Sequence, residues 1–297
     1  MMKRTLQALL GYILALMLTV SLTGACVLTV TNRLLTDQAL YARVAADKRV
    51  TAAQMARVET TVRQLSETYS FDPEPVMALL SHEQFADYGQ DMAAWWTHLL
   101  GGTTMAEAPF PDTNAITEAV LADERFIASI DAFMLRTVAR DEVAYPIGKA
   151  MQVSAMPVRL SLLMLAMPRI EERIDIPAML GYLSALRTIL WVASGVLLAL
   201  LLLTQGKYRL PTVSAGLLAS FVLLAMLTVA VLIVNLPGYV AEFSALLALQ
   251  IRVLQGALLP SVLLTEAALL LIGVLLPILC LKKREPAYRG RHEREPS

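Results

Sequence analysis

The sequence predicts an all-α membrane protein, with four transmembrane helices and a helical extracytoplasmic domain between helices 1 and 2. Three observations carry that expectation. Hydrophobic residues make up 57% of the 297, and the mean hydropathy is +0.58, more apolar side chain than a water-soluble globule carries. Four windows are long enough to cross a hydrocarbon core, which takes about 20 residues at 1.5 Å rise each. Basic residues cluster beside alternate ends of those windows, as the positive-inside rule requires of cytoplasmic segments.

Taken in order, residues 1–4 form a cytoplasmic N-terminus carrying Lys3 and Arg4, and residues 5–32, without a charge, form the first span. Its apolar run is too long for the roughly 7–15 residues of a signal-peptide core, so an uncleaved anchor is expected. The stretch from Leu22 to Cys26 faintly resembles a lipobox, but Thr23 stands where a Leu-like residue is usual. The second span covers 183–205 and ends in a short cytoplasmic loop, 206–212, with Lys207 and Arg209. The third covers 213–236 and the fourth 257–281, the latter interrupted by Glu266. A basic cytoplasmic tail, 282–297, begins with Lys282, Lys283 and Arg284. An even number of crossings puts both termini on one side, in agreement with the charge bias.

The domain between spans 1 and 2, residues 33–182, is then outside. Residues 33–187 hold 14 basic and 20 acidic side chains, a net charge of −6 that disfavours nucleic acid as a partner. The chain has no Asn-x-Ser/Thr acceptor, and its two cysteines, Cys26 and Cys280, fall near opposite ends of their spans. A bacterial plasma membrane is the expected location.

Helix signals recur through this domain. Thr51 followed by Gln54 reads as a capping box, with Val50 and Met55 as its hydrophobic staple. Met55, Val58, Val62, Leu65 and Tyr69 then line one helical face. Asp72 with Pro73 and Pro75 marks another helix start, and Gly101-Gly102 an end. After a loop with Pro109 and Pro111, periodicity resumes at Ile116, Val120, Ile127, Ile130, Phe133, Met134 and Val138. The apolar run 158–167, bracketed by Pro157 and Pro168, reads as a buried or membrane-skimming helix. Ile176-Pro177 opens a helix that continues into span two. Residues 237–256, with Tyr239, Phe243, Leu246, Leu247 and Ile251, suggest an amphipathic helix on the bilayer or under the domain.

Chemistry has little raw material here. The three histidines are His82, His98 and His292. His82-Glu83 lacks the second histidine of a zinc-protease motif, because Ala86 occupies its place. Glu83, Asp87, Asp91 and His98 share one helical face, as a cation site requires, although a solvated helix face accounts for the same spacing. Trp95-Trp96 reads as a core or interfacial anchor rather than a ligand platform. Glu266 is the intramembrane polar candidate, either a proton or cation relay or a packing group paired with Thr228, Asn235 or Arg252. Gly195, Ala199, Gly216, Ala219 and Ser220 fit close helix packing. No phosphate-cradling loop, nucleophile elbow or Cys-x-x-Cys pair occurs, so no catalytic residue and no cofactor is expected.

One span, a large outer domain, then three spans: this layout resembles, in topology alone, the ABC-permease subunits typified by the bacterial cell-division and macrolide-exporter permeases. The resemblance implies coupling to an ATPase through a substantial cytoplasmic N-terminal segment. Here only residues 1–4 precede span one, and the loop between spans two and three is about ten residues. The leading expectation is therefore a non-enzymatic interaction or sensing module on a four-helix anchor. Its partners are the lipid bilayer and a membrane or envelope protein; the alternative is a permease-like subunit or a carrier using Glu266.

Overall fold

A computed structural model describes residues 2–101, 107–156, 176–205 and 208–282. The expected helix at 158–167 lies outside these, as do Lys207, Lys283 and Arg284. Every regular element among the described residues is helical. Among the described residues, four helices are long and apolar enough to cross a membrane, within Thr5–Thr36, Pro177–Thr204, Arg209–Ala241 and Ala245–Ile278. The chain divides into two compact units: residues 1–32, 180–235 and 258–297 form one, and residues 33–179 with 236–257 the other.

The first unit holds the four spans, which belong to α1 (Met2–Thr36), α10 (Ile176–Thr204), α11 (Arg209–Ile233) and α13 (Ala245–Lys282). Their side-chain hydrogen bonds fix the relative directions. Gln7 donates to the carbonyl of Thr204 at 3.0 Å, and Trp191 Nε1 donates to Thr29 Oγ1 at 3.1 Å, so α1 and α10 run antiparallel. Leu18 packs with Val213, and Leu22 and Cys26 with Leu224, so α1 and α11 run parallel. Ser214 donates to the carbonyl of Gly273 at 2.5 Å and Thr228 to Glu266, which makes α11 and α13 antiparallel. Residues 3, 4, 209 and 282 therefore lie toward one end of the bundle. At the other end the chain leaves after Asn32, returns at Leu180, leaves after Asn235 and returns at Leu258.

Span one is the most enclosed: 39% of its apolar window is buried, against 11%, 11% and 17% for the others. Apolar side chains gain nothing by leaving lipid for protein, so small residues and hydroxyls must hold such helices together. Thr19 Oγ1 donates to the carbonyl of Gly216 at 3.1 Å, and a Cβ on Gly216 would stand 3.2 Å from Leu18 Cδ2. Ser21 Oγ donates to the carbonyl of Leu190 at 2.9 Å and is bonded by Ser194 Oγ at 3.0 Å. Gly216 and Ser220 are buried as the packing reading requires. Gly195, Ala199 and Ala219 are not: they face outward, and no atom would come within 4 Å of a Cβ on Gly195. The close approach on α10 is made by Ser194, one residue earlier.

The second unit begins at α2 (Gln38–Ala45) and α3 (Lys48–Tyr69). The sequence expectation of a cap at Thr51 is wrong by one turn. Asp47 is the N-cap, accepting from Arg49 N–H at 2.9 Å, and the Thr51 N–H already bonds the Asp47 carbonyl. Thr51 and Gln54 are instead buried, and Gln54 Nε2 reaches the carbonyl of Ser154 at 3.1 Å. The capping box lies at Ser81 and Gln84, opening α5 (His82–Leu100), while α4 (Pro73–Ala78) starts at Asp72 as expected. The apolar face of α3 is also as expected: Val58 and Val62 are fully buried, with Met55, Leu65 and Tyr69 packed around them.

Helical periodicity after residue 114 is broken twice. It yields α6 (Asn114–Leu121), α7 (Glu124–Ser129), the single turn α8 (Leu135–Thr137), a π-helical stretch Val138–Ala144, and α9 (Tyr145–Ser154). Ile116 and Val120 enter the core as expected, but in α7 the buried residue is Phe126, not Ile127. Phe133 is 91% exposed and Met134 49%. The new start at Asp123 resets the helical phase, so spacing counted across it points the wrong way. The π turn has a local cause: Pro146 has no N–H for Glu142, and its ring crowds that carbonyl, so the helix widens and the Tyr145 N–H bonds Arg140 instead.

These elements enclose one main core of Val58, Val62, Phe71, Val76, Phe85, Ile116, Val120, Phe126, Val143 and Ile147. Phe71 and Phe126 meet edge to face at 6.4 Å. A smaller cluster joins Tyr88, Met92 and Ala155, with Trp96 against it. The segment between spans three and four has two helices rather than one: α12 (Leu236–Ala241), and the start of α13, which continues unbroken into span four. Asn235 precedes α12 with φ 46°, a left-handed conformation that asparagine tolerates better than most residues.

Candidate functional site

An ionisable group inside a span costs roughly 2.5–3.5 kcal/mol on insertion scales, so it is found facing protein or water. Glu266 obeys this rule. It is 6% exposed, on the side of α13 toward α11, and Thr228 Oγ1 donates to its Oε1 at 2.6 Å. Leu269, one turn along α13, and Leu224, one turn along α11, close the same seam with Leu22 and Cys26 of α1. Of the three partners weighed from sequence, the structure provides Thr228. Chemically the pair is one hydrogen bond in an apolar seam, suited to holding two helices in register.

The carboxylate face of α5 is placed differently. Glu83, Asp87, Asp91 and His98 all lie on this helix, and all four are exposed. Among the described residues, no group of three or more His, Cys, Asp or Glu side chains comes together to hold a metal ion. The opposite face supplies Phe85, Tyr88, Met92 and Ala93 to the interior, so the helix is an ordinary amphipathic element. Tyr88 donates to the carbonyl of Pro109 at 2.7 Å, and burial, with the nearby Asp91 charge, pushes its phenol well above the usual tyrosine range. His82 meets the buried hydroxyl of Thr51 at 2.9 Å through Nδ1. Trp95 and Trp96 stack edge to face at 5.0 Å.

Sequence reasoning missed a third location. A surface cleft of about 530 Å³ is lined by Asp72, Pro75, Ala119, Ala122, Asp123, Glu124 and Arg125. Two helix starts meet there, 51 residues apart. Asp123 caps α7 by accepting from Arg125 N–H at 2.8 Å, and its second oxygen accepts from the Asp72 N–H. Arg125 reaches both carboxylates, at 3.4 Å to Asp72 and 3.6 Å to Asp123. Burial alone would raise the Asp123 carboxyl; the N–H groups of Asp72 and Arg125, together with the guanidinium, outweigh that and hold it below the usual carboxylate range. The signal available in sequence was two Asp residues, each opening a helix; their meeting depends on the fold.

No family model, no curated protein and no solved structure matches this chain. The three locations therefore stand on their own geometry. In the cleft every carboxylate oxygen of Asp123 is engaged with its own chain, which leaves the site's polarity directed at helix capping. The groups assigned to topology are placed only in part: Arg209 begins α11 and Lys282 ends α13, while Lys3 and Arg4 lie in the first turn of α1.

Proposed function

We propose that this chain is a multi-pass protein of a bacterial plasma membrane, with both termini cytoplasmic, whose helical unit stands outside and acts as an interaction or sensing module. The observation that carries the reading is continuity. Helices α1, α10 and α13 each run without a break between the span bundle and residues grouped with the helical unit. Such shared helices tie the module covalently to the spans, as a module reporting on its surroundings requires, with Pro260 and Pro277 each removing a backbone hydrogen bond from α13. The acidic balance of residues 33–187 and the basic ends at residues 3, 4, 207, 209 and 282–284 support the orientation. The test is affinity capture of the detergent-solubilised full chain from its native membrane, with mass spectrometry of the captured proteins. Envelope or membrane proteins among the partners support the reading; an ATPase without spans of its own replaces it with a permease subunit.

A second reading rests on Glu266, the buried carboxyl in a span. As a carrier residue it would have to exchange Thr228 for a transported cation or proton. Loss of a proton or solute flux in Glu266→Gln vesicles, with the fold intact, would favour it.

A further inference from the structure

The segment joining spans three and four presents two apolar faces, one buried and one exposed. Val240, Ala248, Ile251 and Leu254 are buried, each 5% exposed or less. Tyr239 and Phe243 are 62% and 74% exposed, yet their rings meet at 5.8 Å, forming a compact aromatic pair rather than two stray side chains.

Covalent reach limits where this pair can be. Tyr239 is four residues and Phe243 eight residues beyond Asn235, the last residue of the bundle after α11. At about 3.6 Å per residue, Tyr239 lies within roughly 14 Å and Phe243 within roughly 29 Å of that point. The segment is also held at its far end, since α13 returns to the bundle at Leu258. Outward-facing apolar side chains continue up to it along α11, through Val231, Leu232, Ile233 and Val234. Tyr182, 77% exposed and two residues into the bundle on α10, lies toward the same bundle end. Tyrosine and tryptophan concentrate at the headgroup level of a bilayer, where the apolar body and the polar tip are both satisfied, and phenylalanine lines the apolar face of segments that lie in that layer.

We infer that Tyr239 and Phe243 seat in the headgroup layer of the bilayer and pin the 236–257 segment to the membrane surface. The inference rests on the reading of the four apolar helices as membrane spans. It gives the segment 236–257, which is grouped with the helical unit and continues as span four, an anchor of its own.

The test uses the full chain in phosphatidylcholine vesicles whose acyl chains carry bromine either near the headgroup or near the chain end. Three single-tryptophan versions are compared: native Trp191 alone, and Phe243→Trp or Tyr239→Trp with Trp95, Trp96 and Trp191 all replaced by Phe. Tryptophan at 243 or 239 is expected to emit to the blue of free tryptophan and to lose more intensity to shallow bromine than to deep. No quenching at either position while Trp191 is quenched overturns the anchor, because water or protein then covers the pair. Stronger quenching by deep bromine also overturns it, since the pair would then belong to the hydrocarbon core. An unquenched Trp191 overturns the spanning reading as well as the anchor.

Discussion

Ser70 closes α3 in the left-handed region, with φ 59°, and its N–H bonds the Ser66 carbonyl. A Cβ in that conformation is strained by roughly 1–2 kcal/mol, and glycine avoids the strain. Ser70→Gly is expected to stabilise the chain by about 1 kcal/mol, read as a rise in thermal midpoint by circular dichroism in detergent. Gly89 has the opposite character: a Cβ there would stand 2.8 Å from the Cβ of Ala45, where α5 crosses α2. Gly89→Ala should force those helices apart at a cost of about 1–3 kcal/mol, checked by the same melt. Asp123 combines a helix cap with a bond to a second helix start. Asp123→Ala should cost about 2 kcal/mol. Asp47 and Asp123 are both held below the usual carboxylate range, Asp47 chiefly by the Arg49 guanidinium. Their folded-state pKa values are depressed, so their stabilisation is complete above the ordinary Asp value of about 3.9 and disappears as pH falls through the folded values. Asp123→Asn should lower the neutral plateau of the stability curve and flatten its acid limb, the two proteins converging as pH falls below the folded Asp123 value, as acid titration of the thermal midpoint will read.

The informative pairs at the element scale are in the bundle. The α11–α13 seam rests on Ser214 with Gly273 at one level and Thr228 with Glu266 at another. Thr228→Val keeps the shape and removes the donor, so a loss of about 0.5–1.5 kcal/mol in detergent stability is expected. Glu266→Gln keeps an acceptor for Thr228 and should change stability by less than about 1 kcal/mol. A larger loss in Glu266→Gln than in Thr228→Val would mean that the carboxyl does more than accept one hydrogen bond. Four apolar windows were legible in the sequence because lipid requires about 20 uncharged residues whatever the neighbours are. Which small residues meet was not legible. Gly195 and Ser194 are adjacent on α10, and only the rotation of that helix about its axis puts the serine inward.

At the scale of the whole molecule, the two units follow different rules. In the helical unit the apolar spacing on α3 predicted its buried face, because burial from water needs a continuous stripe. The same reasoning misread Ile127 and Phe133, because the new helix start at Asp123 resets the phase before Ile127 and Phe133 lies in the turn between α7 and α8. The capping signal at Thr51 was misread for a related reason. Thr51 and Gln54 match a cap by type and spacing, but Asp47 stands one turn earlier, and the two polar side chains are used inside the unit instead.

Composition and window length alone determined that this chain is helical and carries four segments able to cross a membrane, because hydrocarbon sets the length and excludes the charges. Tertiary structure decided everything that depends on which faces meet: the pairing of Glu266 with Thr228, the joining of Asp72 to Asp123 across 51 residues, and the dispersal of the α5 carboxylates along an exposed face. Spacing along one helix constrains only that helix. Contacts between helices depend on rotations and crossings set by all the side chains between them.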